Sequence, residues 1–193
     1  MELISEAQLP TKFGNFTIKV FKNPISLVEH FVLQNSDMEA VTPMVRIHSE
    51  CATGDIFGSL RCDCQDQLHQ ALTLIAENKN GAVIYLKNQE GRGIGISNKI
   101  KAYHLQEQGL NTYEANEALG LPADDRNYDD AISILKMLGY TSITLITNNP
   151  LKEAAVKAAG ISFTTQHVAA KVNDHNQAYL DAKINIGHHH IKL

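Results

Sequence analysis

QDQLHQALTLIAENKNGAVIYL, residues 65–86, decides the fold. Leu68, Ala71, Leu72 and Ile75 recur at i, i+3, i+4 and i+7, the spacing that lines one face of a helix, here Gln65 to Asn78. Asn80-Gly81 stops that helix. Ala82-Val83-Ile84-Tyr85-Leu86 follows as a continuous apolar run, the pattern of a strand covered on both faces. Helix and buried strand then alternate downstream. A helix is predicted from about Ser97 to Gln108, ended by Gly109, and another from Asp129 to Leu138 with Ile132, Leu135 and Leu138 inward. Ser142 to Thr147 reads as a strand, Pro150 to Ala159 as a helix stopped by Gly160, and Ile161 to Thr165 as a last strand. Upstream, Phe13 to Val20, Glu29 to Leu33 and Met44 to His48 read as turns and strands. The expected architecture is α/β: a mixed sheet flanked by helices, with a β-rich N-terminal part, in one domain over residues 1–193.

Composition narrows the function classes. An apolar content of 44% and a charged content of 20% are those of an ordinary globular protein. No apolar run approaches the ~18 residues of a membrane span, so no membrane partner is expected. Met1 to Glu6 lacks the basic region and apolar stretch of a secretory signal, which points to the cytoplasm. A formal net charge of −4 argues against nucleic acid as a partner. An anionic substrate must therefore be held by local basic residues rather than by the overall field. His188-His189-His190 is read as a solvated surface run.

The chain's three cysteines fall within fourteen positions, Cys51-x10-Cys62-x-Cys64. A disulfide between Cys62 and Cys64 is cramped, and an odd count suits reduced thiols. Three thiolates are one ligand short of a tetrahedral zinc site. Two arrangements remain open: a closed structural site completed by His48 or His69, and an open site whose fourth position takes water. The spacing leans to the second.

Four loops near strand ends carry more than turn chemistry: His48 to Cys51, Asn88 to Gly95, Ala123 to Arg126, and Thr147 to Lys152. In Gln89-Glu90-Gly91-Arg92-Gly93-Ile94-Gly95 the glycines let backbone N–H groups approach an anion, and Arg92 can grip phosphate in bidentate fashion. An ordinary glycine-rich turn explains the same letters. Asn149-Pro150 is a helix start in its own right, but Lys152 opposes the helix dipole in the first turn, which a bound anion would offset. Asp124 and Asp125 are either helix-entry acids or, in one case, a base beside Arg126. His48-Ser49-Glu50-Cys51 invites comparison with zinc nucleobase deaminases, whose H-x-E precedes P-C-x-x-C. Here the later pair is one residue shorter and lacks the proline.

Together, Arg46-Ile-His-Ser-Glu-Cys51, Cys62-x-Cys64, Gln89 to Gly95, Asp124-Asp-Arg126 and Thr147-Asn-Asn-Pro150 resemble GTP cyclohydrolase II, in the family's order and over nearly the whole chain. The resemblance implies the first committed step of riboflavin biosynthesis: zinc-dependent opening of the imidazole ring of GTP, with release of formate and pyrophosphate and a 2,5-diamino-6-ribosylamino-pyrimidinone 5′-phosphate as product. It implies one zinc per chain on Cys51, Cys62 and Cys64, magnesium with the triphosphate, and a homodimer. By the same resemblance Arg46, Ile47, His48, Ser49, Glu50, Gln67, Glu90, Gly91, Arg92, Thr112, Thr147 and Lys152 line the GTP site. Asp124 is the expected proton acceptor, Arg126 the nucleophile towards the α-phosphorus or a stabiliser of its charge, and Tyr103 a catalytic residue near the base. Only the cyclohydrolase part is expected; the chain is too short for the dihydroxybutanone-phosphate synthase domain of some relatives. Gln65, Asn88 and Leu151 depart from the family's usual Gly, Arg and Lys without touching an expected ligand. Two other outcomes carry different chemistry: a GTP sensor without turnover, and a cyclohydrolase that retains the formyl group.

Overall fold

The computed structural model describes residues 1–38 and 41–191. Its single sheet has seven strands in the order β1-β2-β3-β5-β4-β6-β7. These are β1 (Glu2–Thr11), β2 (Gly14–Lys22), β3 (Glu29–Asn35), β4 (Met44–Ser49), β5 (Gly81–Leu86), β6 (Ser142–Ile146) and β7 (Ser162–Gln166). The half built from β1, β2, β3 and β5 is antiparallel. The half built from β5, β4, β6 and β7 is parallel. The sheet is thus mixed, and its β-rich N-terminal part is the antiparallel wing. The change of direction at β5 follows from the connections: a hairpin can return a strand antiparallel, whereas a helical crossover brings it back parallel.

Among the described residues six α-helices accompany the sheet: α1 (Cys64–Asn78), α2 (Ile96–Glu107), α3 (Thr112–Ala118), α4 (Asp129–Met137), α5 (Pro150–Ala158) and α6 (Gln177–Asn185). On one face, Val45, Ile47, Ala82, Ile84 and Leu86 pack with Ala131, Ile134 and Leu135 of α4 and Val156 of α5. On the other, Val83 and Ile146 pack with Ala71, Leu72 and Ile75 of α1. Because strand side chains alternate, both faces of β5 are apolar, which is why its sequence reads as an unbroken run. Truncating fully buried Ile84 to Ala would cost about 2–5 kcal/mol.

The expected elements lie within a residue or two of the observed ones. Helix α1 ends where Lys79 turns left-handed at φ 58°. Gly81 serves a different need: a Cβ there would sit 1.9 Å from the Met44 carbonyl oxygen, so only glycine lets β5 start against β4. The inward face of α4 is Ala131, Ile134 and Leu135, with Ile132 and Leu138 only half-buried. Strand β1 and helices α3 and α6 have no counterpart among the elements expected by position. No helix is long and apolar enough to cross a membrane among the described residues.

Candidate metal centre and nucleotide cleft

Strand β4 lies inside the sheet, between β5 and β6, and its alternation divides its labour. Val45 and Ile47 face the core, while Arg46 and His48, 4% and 2% exposed, face the α1 side. The chain leaves β4 at Ser49 and winds through one wide helical turn, Ala52–Ile56. Asp55 holds this turn to the sheet: its carboxylate accepts from the Cys51 N–H (3.0 Å), His48 Nε2 (3.1 Å) and the Tyr85 hydroxyl (2.8 Å). Cys51 thereby faces Cys62 and Cys64 across the loop that leads into α1.

The three sulfurs lie within 4.8 Å of one another, with Cys51 Sγ 3.8 Å from Cys62 Sγ. A tetrahedral zinc with Zn–S bonds of ~2.3 Å separates its sulfurs by ~3.8 Å, so the cluster fits one zinc ion. No histidine or carboxylate joins the group among the described residues. His48 is turned to Asp55, and His69 packs on Phe13 with ring centroids 4.9 Å apart. Among the described residues, then, neither histidine completes the three-sulfur cluster. Gly54 lies under the cluster: a Cβ there would meet Cys62 Sγ at 2.8 Å and Cys51 Sγ at 3.1 Å. Hydrogen bonds from Cys62 and Cys64 push Cys51 down to a thiolate. The bond to Cys51 pushes Cys62 up to about 11, and bonds to both neighbours push Cys64 well above an ordinary thiol. All three sulfurs ionise together only where positive charge stands among them.

Lys99 of α2 supplies part of that charge. Its ammonium donates to Cys51 Sγ (3.1 Å), Thr53 Oγ1 (2.7 Å) and Glu90 Oε1 (2.6 Å). Burial works to lower its pKa, but Cys51, Tyr103 and Glu90 outweigh it and hold Lys99 charged. The other Glu90 oxygen accepts the Ala52 N–H at 2.6 Å, tying the metal turn to the glycine-rich loop. Tyr103, one turn along α2, places its hydroxyl 3.2 Å from Thr53 Oγ1.

The metal cluster opens on a cleft of about 1040 Å³, its mouth included, large enough for a nucleotide by the usual scale of small-molecule sites. In the loop between β5 and α2, Gly91, Arg92, Gly93 and Gly95 all take positive φ. Arg92, at φ 66°, lays its guanidinium 4.1 Å over the Tyr113 ring, and its buried Nη1 has no protein partner. Asp125 N–H donates to the Arg92 carbonyl at 2.9 Å, which brings the α3–α4 connection to the cleft. There Arg126 pairs with Asp124 through Nε (2.8 Å) and Nη2 (2.5 Å). Burial favours the neutral acid, yet the bonds and charge of Arg126 hold Asp124 below the usual carboxylate range. At the start of α5, capped by Asn149, Lys152 donates to the Ile47 carbonyl at 2.7 Å. Burial, then the charges of Arg46, Arg126 and Lys183, push its pKa far down. A cleft that crowds so many cations together suits a polyanion.

The family model of GTP cyclohydrolase II matches residues 2–168. The chain belongs to the GTP cyclohydrolase II family. It is 50% identical over 165 residues to "GTP cyclohydrolase-2" of Picrophilus torridus, covering 85% of each chain. It is 45% identical over 181 residues to "Riboflavin biosynthesis protein RibBA" of Phocaeicola vulgatus, covering 92% of this chain and 44% of that one. The chain spans about half the length of the RibBA relatives it matches. Among solved structures, a two-domain 3,4-dihydroxy-2-butanone 4-phosphate synthase from A. baumannii aligns with TM-score 0.48 and 16% identity, over 88% of this chain and 40% of its own.

In this member of the GTP cyclohydrolase II family, most residues expected at the nucleotide site do line the cleft: Arg46, His48, Ser49, Glu50, Gln67, Gly91, Arg92, Thr112, Thr147 and Lys152, with Tyr103 and Arg126. Three expected residues stand behind its wall. Ile47 is fully buried and offers only its carbonyl, Glu90 anchors Lys99, and Asp124 clamps Arg126. Sequence reasoning missed Asp55, Asp63, Lys99, Tyr179 and Lys183. It also misplaced His189, which lines the cleft while His188 and His190 are exposed. Asp63, between two cysteines, was the one visible signal. A buried lysine leaves no mark in a hydrophobic pattern.

Proposed function

We propose that this protein hydrolyses GTP, opening the imidazole ring and releasing formate and pyrophosphate, the first committed step of riboflavin biosynthesis. The observation that carries the reading is a three-sulfur cluster, spaced for one zinc and completed by neither histidine, at the edge of a cleft gathering Arg46, Arg92, Arg126 and Lys152. When bound, zinc supplies a Lewis acid that makes water reactive near neutral pH. The chain's own residues do the rest. Arg92, with its unpartnered Nη1, and Lys152, whose depressed pKa a bound anion raises, grip the triphosphate. Lys99 balances the thiolate charge, and Tyr103 stands beside the metal loop to orient the base. Arg126 meets the α-phosphate. As nucleophile it must lose a proton that a guanidinium holds tightly, and Asp124, already hydrogen-bonded to its Nε, is the acceptor in reach.

Magnesium accompanies the triphosphate as part of the substrate. The exposed apolar side chains Ile56, Phe57 and Leu60 beside the metal loop support a homodimer, and free thiols in a metal cluster support a cytoplasmic setting. The unit is one domain. The test incubates zinc-loaded protein with GTP and magnesium and quantifies formate, pyrophosphate and pyrimidine separately. Equimolar formate and pyrophosphate are expected. Ring opening without formate would select a formyl-retaining cyclohydrolase, and binding without product a GTP sensor.

A further inference from the structure

The family match ends at residue 168, yet the chain beyond it returns to the cleft. Helix α6 brings Tyr179 and Lys183 into the cleft wall, and the turn after it brings His189. The His190 N–H donates to the Asn148 carbonyl at 2.9 Å, pinning this segment to the loop before α5.

It makes a buried ion pair with the metal loop. Lys183 Nζ donates to Asp63 Oδ1 at 2.6 Å; the two side chains are 9% and 0% exposed. Asp63 stands between Cys62 and Cys64, so whatever fixes it fixes the backbone that carries two of the three sulfurs. Its second oxygen accepts from Gln67 Nε2 at 2.6 Å, and Gln67 Oε1 accepts from Arg46 Nη2 at 2.5 Å. Arg46 in turn donates to the Ile146 carbonyl at 3.2 Å. One buried run of hydrogen bonds thus links α6, the cysteine pair, α1, β4 and β6.

We infer that Lys183 is a positioning residue for the metal centre: its ammonium holds Asp63, and Asp63 holds the Cys62 and Cys64 sulfurs in the spacing that takes zinc. A buried carboxylate stripped of its cation turns to the nearest donor or draws in water. Either movement displaces the two-ligand segment on which it sits. This rests on the zinc reading above. It differs from a purely stabilising ion pair, which would lower melting temperature without altering metal affinity.

The experiment measures zinc dissociation by chelator competition in the full chain for the wild type, Lys183→Met, Lys183→Arg, Asp63→Asn and Asp63→Asn/Lys183→Met. Melting temperature is read on the zinc-free forms. Loss of a partner that orients a ligand typically weakens metal binding roughly 10–100-fold, and that is expected for Lys183→Met and Asp63→Asn. The double variant should be no weaker than the worse single, and Lys183→Arg should recover most of the affinity. If Lys183→Met fails to fold, Asp63→Asn, isosteric and uncharged, carries the same comparison. Zinc affinity within about twofold of wild type in both single variants, whatever their melting temperatures, would overturn the assignment. A wild-type chain that takes up no zinc would overturn the metal reading as well, so the two failures are distinguishable.

Discussion

Replacing Lys99 with Met tests whether the charge balance at the metal loop is built into the protein or supplied by the metal alone. Among the described residues Lys99 is the hydrogen-bonded cation of Glu90, whose side chain is 6% exposed and whose other oxygen is engaged by the Ala52 N–H. Methionine keeps the length and apolar stem of lysine and removes only the ammonium. Breaking one partner out of a buried ion pair costs about 3–5 kcal/mol, because the remaining charge is stranded. For a chain of this size each kcal/mol moves the melting temperature by about 2–4 °C, so the loss should be roughly 6–20 °C. Thermal unfolding by circular dichroism, with and without a chelator, is the assay. The loss should persist in zinc-free protein, because Glu90 is stranded whether or not the sulfurs hold metal. Adding Glu90→Gln to Lys99→Met should restore much of it by removing the orphaned charge. A melting temperature of Lys99→Met within about 2 °C of wild type in both states would refute the reasoning.

Gly54→Ala should weaken zinc binding roughly tenfold or more, since its Cβ would press on Cys62 Sγ at 2.8 Å; unchanged affinity in chelator competition would refute the cradle. Arg126→Lys keeps the charge but loses the fork that grips Asp124 through two nitrogens. Turnover should fall roughly 10²–10³-fold, and near-normal pyrophosphate release would contradict both roles given to Arg126. Burial, then the charges of Lys183, Arg126, Lys152 and Arg92, depress His189 from 6.5 to about 3. Between those values the unfolded chain binds a proton that the folded one refuses, so stability should fall as pH drops from 6.5 towards 3. His189→Asn should flatten that acid limb in urea titrations; an unchanged slope would show that His189 is solvated.

The centre of the fold was legible because its residues obey simple periods. Helix α1 shows a 3.6-residue stripe and β5 an unbroken apolar run, and the cysteine spacing points to a metal without any structure. The loop from Asn88 to Gly95 was legible as unusual backbone, although its partner, the Asp125 N–H, lies far along the chain. Helix α3 announced itself in Asn111 and Glu114, which form a capping box, but its seven residues are too few to show a stripe. Helix α6 buries a lysine beside Leu180 and Ala182, so its pattern carries no clean apolar face. His189 shows the limit of reading neighbours alone: three adjacent histidines look alike until the chain turns one of them inward. Asp55 and Lys99 escaped for the same reason, since their partners are set by tertiary approach.

The bond between Asp63 and Lys183 joins positions 120 apart in the chain. At a synthesis rate of ~5–20 residues per second, the thiols leave the ribosome roughly 6–24 s before their latch is made. Any metal ion those sulfurs meet in that interval meets them before Lys183 has fixed their spacing.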